Sequence, residues 1–233
     1  FIPVMVLKNG EDWILKIIAY FDDGDLTLQK SNIIDLSSIS FIIAITFPIA
    51  YFIYDLLKRK NVNIISIFGF INVLLTGGIG IFGAKYGLSK NWFIFKESFL
   101  PLFIGSLLLL LRRYKQGSFN KILLNDALFD NEKIGASLRE EVQGDFEIIV
   151  RNAGNHFIFG LFISSIIQFF LASMIVVSDP GESSFNEQVA TMTWVSYLAV
   201  LVPTILIVGK GYWELIAGME KITGLKKEDF LKA

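Results

Sequence analysis

The sequence contains no cysteine, which excludes a disulfide framework, thiolate metal ligands and a cysteine nucleophile. Its single histidine, His156, excludes a multi-histidine metal site within the chain. The net charge of −1 provides no global basic field to draw nucleic acid, so no nucleic-acid partner is expected. No nucleotide-binding loop and no nucleophile elbow occur. No catalytic, cofactor-binding or metal-binding residue stands out, and no cofactor is expected. What the chain does have is apolar mass. Of its 233 residues 53% are hydrophobic, and the mean hydropathy is +0.57. A soluble domain usually runs about 45–50% apolar. Here the excess is concentrated in recurring runs separated by short polar segments.

A bilayer core needs roughly 20 helical residues. Five segments reach that length: residues 36–57, 64–85, 92–111, 157–177 and 191–209. Backbone groups in lipid must be paired within the segment, so these runs are expected to be helices. The alternating pattern of a barrel strand is absent. Runs such as Leu107–Leu111 and Phe157–Phe170 lack the polar stripe of an amphipathic helix in a soluble bundle. The expected fold class is therefore all-α, a polytopic membrane bundle that forms one membrane domain over residues 1–233.

Basic residues collect in cytoplasmic loops. Lys58-Arg59-Lys60 is one such loop. The 112–154 loop holds seven Lys/Arg and seven Asp/Glu, and the 210–233 tail carries Lys210, Lys221, Lys226, Lys227 and Lys232. If five spans alternate, all three fall on one side. The opposite side receives the 178–188 loop, which has no Lys or Arg. The expected orientation puts the C-terminus on the cytoplasmic side. Within the long loop, Lys121–Leu128 and Ala136–Val142 read as short surface helices, and Ile148–Arg151 leads into the fourth complete span.

Residues 1–8 read as the end of a sixth span whose start precedes them. Residues 9–35 are too polar to cross and are expected to lie outside. Gly10-Glu11-Asp12-Trp13 opens a short helix there. Its apolar face of Trp13, Ile14, Ile17, Ile18 and Phe21 suits either the membrane interface or the ends of neighbouring helices. Asp22, Asp23 and Asp25 resemble the start of a calcium loop, but the twelve-residue pattern with its terminal Glu is missing.

Lys96 and Glu97 sit about one turn inside the third complete span, where ionisable groups are costly and often functional. Adjacent helical residues point about 100° apart, so each is expected to need its own partner. Lys96 can snorkel outward, and Glu97 can face the bundle interior. Pro101 frees the carbonyl of Glu97 and allows a local kink. Two readings stay open: a structural polar cluster, or a substrate or proton site. Asn72 and Gln168 complete this candidate intramembrane polar site, with Ser164 and Ser165 one turn before Gln168. Gly77, Gly78 and Gly80 suit close helix packing, or a broken helix that exposes carbonyls to a ligand. His156 reads as a capping or interfacial residue. Asp55 with Lys58 and Arg59, and Lys210 with Glu214, have helical pair spacing. Pro48 and Pro203 suit bends, and Trp92, Trp194 and Trp213 suit interfacial anchors.

Several stretches carry a resemblance. They are Tyr54-Asp55-Leu56, Leu74-Leu75-Thr76-Gly77-Gly78-Ile79-Gly80, Lys96-Glu97 with Pro101, Phe185-Asn186-Glu187-Gln188 with Met192-Thr193, and Ile222-Thr223-Gly224-Leu225. In order and spacing the chain resembles, from residue 1 to about 230, a bacterial family of six-span inner-membrane proteins with no established function. Members of that family are often labelled major facilitator transporters. It is also distantly similar to the intracellular septation protein A family. The resemblance implies that Phe1–Leu7 ends a first helix. It also marks residues 9–35 as longer here than in the family, and so as a contact surface.

The expected function is a non-enzymatic scaffold or accessory subunit of a larger envelope assembly. The alternative is a small-solute transporter or channel acting as an oligomer, because six spans make only half of a major facilitator protein. A lipid-modifying enzyme would have only His156, Asn155 and Asp55 to work with on the cytoplasmic side. The expected partners are membrane lipids together with other protein subunits or further copies of the chain.

Overall fold

The computed structural model describes residues 2–21, 36–59, 64–126 and 128–232. The architecture is all-α. In order, the helices are α1 (Ile2–Phe21), α2 (Leu36–Arg59), α3 (Ile64–Tyr86), α4 (Asn91–Tyr114), α5 (Gln116–Leu123), α6 (Asn131–Ser137), α7 (Gln143–Ile175), α8 (Ser183–Ala199), α9 (Leu201–Thr223) and α10 (Lys227–Phe230). A 3-10 turn at Glu140–Val142 leads into α7. Among the described residues three helical stretches are long and apolar enough to cross a bilayer: Asn91–Tyr114, Glu140–Ile175 and Ser184–Thr223. Among the described residues α2 contributes the shorter apolar stretch Ile42–Tyr54.

The chain divides into two compact units. The first comprises residues 1–98 and 168–198. Here α1 packs on α2, and α2 on α3. The expected break before a separate interfacial helix does not occur, and α1 runs unbroken through Gly10. Gly10 is buried against Ser40 of α2, so the glycine serves close approach of two helices rather than a turn. Trp13 and Ile17 of that face are exposed, and Ile14 is half-buried. The side chains of Ile18 and Phe21, the Asp22–Asp25 stretch, and the side chains of Asp55, Lys58 and Arg59 lie outside the described residues. The core gathers Val6, Ala44, Phe93, Ala172, Val176 and Phe185.

Helix α3 stops at Gly87, whose φ of 65° is the left-handed conformation that glycine tolerates best. The Leu88 N–H then caps the Gly83 carbonyl at 2.9 Å, a Schellman-type ending. The turn that follows is tied to the 178–188 loop. The Lys90 N–H donates to Asp179 Oδ1 at 2.7 Å, and Lys90 Nζ donates to the Val177 carbonyl at 2.6 Å. Gln188 Oε1 accepts from the N–H groups of both Val177 and Ser178 at 2.9 Å, which closes the start of α8 onto the end of α7.

The second unit comprises residues 99–167 and 199–233. Its core joins Leu108 of α4, Phe119 and Leu123 of α5, Val150 of α7, Leu215 of α9 and Phe230 of α10. The long loop and the C-terminal tail therefore fold together. Phe129 and Leu231 form an antiparallel bridge, with the Asp130 N–H on the Phe230 carbonyl at 2.8 Å and the Lys232 N–H on the Leu128 carbonyl at 2.9 Å. Asp130 caps α6 by accepting from the Lys133 N–H at 3.2 Å. That bond, helped by the Lys133 charge, holds the Asp130 carboxyl below the ordinary carboxylate range. The Tyr212 hydroxyl donates to the Leu123 carbonyl at 3.1 Å, and its ring stacks on Phe129.

Two expected positions shift. The short helices expected at Lys121–Leu128 and Ala136–Val142 lie instead at Gln116–Leu123 and Asn131–Ser137. Phe119 and Leu123 of the first are buried, and the Asp130 cap fixes the start of the second. The expected span over residues 191–209 is divided at Val200 between α8 and α9. Pro203 has no N–H to offer the Ala199 carbonyl, so the ladder is interrupted there. Helix α9 continues past that span to Thr223, and Lys210 and Glu214, at helical pair spacing, lie 3.8 Å apart.

Candidate functional site: a buried lysine cluster

The site is built by two helices of the first unit. Helix α4 carries Phe93, Lys96 and Glu97, and α3 carries Asn72 and Thr76, one turn apart on one face. Lys96 is 5% exposed and Glu97 is 15% exposed. Lys96 Nζ donates to Asn72 Oδ1 at 3.1 Å, to Thr76 Oγ1 at 2.6 Å and to Glu97 Oε1. The Thr76 hydroxyl proton goes to the Asn72 carbonyl at 2.9 Å, which leaves its oxygen lone pairs toward the lysine. An ammonium has three N–H donors, and three acceptors meet it here. Below it lies the Phe93 ring, its centroid 4.9 Å from Nζ. Phe185 packs edge-on to Phe93 with centroids 5.7 Å apart and so fixes that ring.

Two expectations are corrected here. Lys96 does not snorkel outward, because its amine is buried among α3 acceptors. Nor do Lys96 and Glu97 need separate partners: they pair with one another. The 100° separation holds for Cβ directions, but a four-carbon lysine chain turned toward α3 brings its amine back alongside the neighbouring carboxylate. An isolated charge in such surroundings is strongly disfavoured, and pairing plus hydrogen bonds offsets that cost. Of the four residues of the candidate polar site, Lys96, Glu97 and Asn72 come together. Thr76 was not singled out as a site residue, although its spacing of four from Asn72 was a usable signal. Gln168 is half-buried on α7 and is not a partner of Lys96.

In the glycine-rich stretch Gly77 is the position that meets a neighbouring helix. Helix α3 is continuous from Ile64 to Tyr86, so the broken-helix alternative is set aside. Gly77 is buried, and a Cβ there would stand 2.6 Å from Ile45 Cδ1 of α2. Gly80 is likewise buried, whereas a Cβ on Gly78 would meet nothing within 4 Å. Helix α4 likewise continues through Pro101.

Within the second unit, the Ser164 and Thr204 hydroxyls form an interhelical hydrogen bond at 2.6 Å. His156 Nδ1–H donates to the Asn152 carbonyl at 3.0 Å, and its Cβ packs beside Gly211. Asn155 accepts a hydrogen bond from Arg112, a contact that neither residue's sequence neighbourhood signals. Comparison of the chain with protein-family models, with curated proteins and with solved structures gave no match.

Proposed function

We propose that the chain is a multi-pass protein of the bacterial inner membrane that acts as a non-enzymatic scaffold or accessory subunit of a larger envelope assembly. It has five complete spans, α2, α3, α4, α7 and the α8–α9 pair, with the C-terminus cytoplasmic. The Lys/Arg asymmetry of the loops supports this orientation. The resemblance to six-span proteins related to septation protein A belongs to the same proposal.

The observation that carries the reading is the folded module of loop and tail. A loop that only joined two spans would need no core. Here residues 116–142 and 227–232 enclose Phe119, Phe129, Ile134 and Phe230, all buried. This gives the membrane bundle a rigid cytoplasmic surface for docking other subunits or further copies of the chain. Three of the polar groups that chemistry could draw on make bonds within the chain. Lys96 is fully bonded, His156 bonds its own helix, and Asn155 bonds Arg112.

The second reading, an oligomeric small-solute transporter or channel, is favoured by one feature, the partial exposure of Glu97 beside a buried lysine. Reconstitution of the purified protein into liposomes separates the two. The scaffold reading expects fluxes of protons, alkali cations and small organic solutes equal to those of protein-free liposomes. A saturable flux that Glu97→Gln abolishes would overturn it.

A further inference from the structure

We propose that a cleft of about 410 Å³ in the second unit binds a phosphate-type anion. It lies between α5 and the first half of α7, with the last turn of α4 at its side. Its polar lining is Arg112, Arg151, Gln116, Asn120, Asn155 and Glu147. Two guanidinium groups face one carboxylate, so the lining is net positive by one charge. Among the described residues neither arginine forms an ion pair with a carboxylate. Arg112 has five N–H donors and commits one side of its fork to Asn155 Oδ1. That bond turns the Asn155 amide, leaving its Nδ2 as a further donor. Arg151, Gln116 and Asn120 add donors around the same space. A planar, permanently charged fork beside neutral amides matches the geometry of a phosphate better than that of a cation or an apolar ligand.

The cleft sits where apolar sequence gives way to polar. Arg112 directly follows Leu107–Leu111 of α4, and Asn155 directly precedes the apolar stretch of α7 that begins near Phe157. Basic pockets at that depth suit phospholipid headgroups. A soluble phosphate has the same chemistry, and the shared recognition element is the phosphate itself. The proposal stands whether or not the protein is a scaffold.

The test uses the full chain, stripped of lipid in a neutral detergent, with thermal unfolding as readout. One arm titrates inorganic phosphate against chloride at constant ionic strength. The other adds phosphatidylglycerol to the micelles, with phosphatidylcholine as control. A saturable rise in unfolding temperature with phosphatidylglycerol alone assigns the site to lipid, and one with inorganic phosphate assigns it to a soluble ligand. In either case Arg151→Gln is expected to weaken the apparent affinity about tenfold, the worth of one charge-assisted bond. Its unliganded unfolding temperature should match the wild type, because Arg151 is exposed. Arg112→Gln is the second variant and should weaken binding by at least as much. The proposal is overturned if neither ligand gives a saturable rise, if phosphatidylcholine gives the same rise, or if both variants keep wild-type affinity.

Discussion

Replacing Lys96 with methionine is expected to lower the unfolding free energy by about 3 kcal/mol, the low end of the range for removing one member of a buried ion pair. The methionine keeps most of the side-chain volume, so the loss is electrostatic rather than a cavity. It leaves Glu97 with a carboxylate that is 15% exposed and has lost its lysine partner. It also leaves Asn72 Oδ1 and Thr76 Oγ1 without the donor they now share. The partial exposure of Glu97 is why the low end is chosen. The double variant Lys96→Met with Glu97→Gln removes both charges at once and should recover more than half of the loss. Pairs in contact commonly couple by about 0.5–3 kcal/mol, and this pair should lie in the upper half of that range. The measurement is reversible unfolding in mixed micelles with a graded fraction of a denaturing detergent. A single variant as stable as the wild type, or a double variant no more stable than the single, would remove the cluster from the list of structural elements. It would also return Lys96 and Glu97 to the candidates for transport.

Phe230→Ala should produce a comparable loss, confined to the second unit. Phe230 is 0% exposed and closes the module from the far end of the chain. Truncating a buried phenylalanine costs about 3–5 kcal/mol. Its carbonyl accepts from the Asp130 N–H, and its neighbour Leu231 bridges Phe129, so a displaced α10 also unfastens the start of α6. In the wild type the sites for trypsin at Lys121, Lys133 and Arg139 are carried on or beside folded helices. With cleavage following the population of the open form, the variant should be cut about a hundredfold faster in the 116–142 segment. Cleavage at the wild-type rate would show that the tail merely lies beside the loop.

The two results bear on different levels of what the sequence discloses. Apolar runs marked the cores of α4 and α7 well, because a span is a local property of about 20 residues. They could not show that α7 begins at Gln143. Its first three turns carry Asp145, Glu147 and Arg151, which lower any window average. The helix is held there by Phe146, Ile149, Val150 and Ala153 at three- and four-residue spacing, packed into the second unit. The expectation of one domain likewise gave no sign of the division into two units, whose boundaries at 98/99, 167/168 and 198/199 fall on or beside helices. Those boundaries depend on which segments meet in space, and hydropathy along one chain does not record that. The candidate site was legible at the level of residue type. Lys96, Glu97 and Asn72 stood out as polar groups in apolar runs. Their mutual contact was not legible, because it depends on the reach of the lysine chain and on how α3 is turned toward α4. The Phe129–Leu231 bridge, which spans about a hundred residues of sequence, had no local signal at all.

The most direct test of the account is extraction of the native protein in a gentle detergent, followed by measurement of its mass and identification of what travels with it. The scaffold reading predicts stoichiometric protein partners in the wild-type preparation and their loss from Phe230→Ala, whose membrane bundle is intact but whose module is open. A lone monomer or homodimer, unchanged by Phe230→Ala, would contradict it.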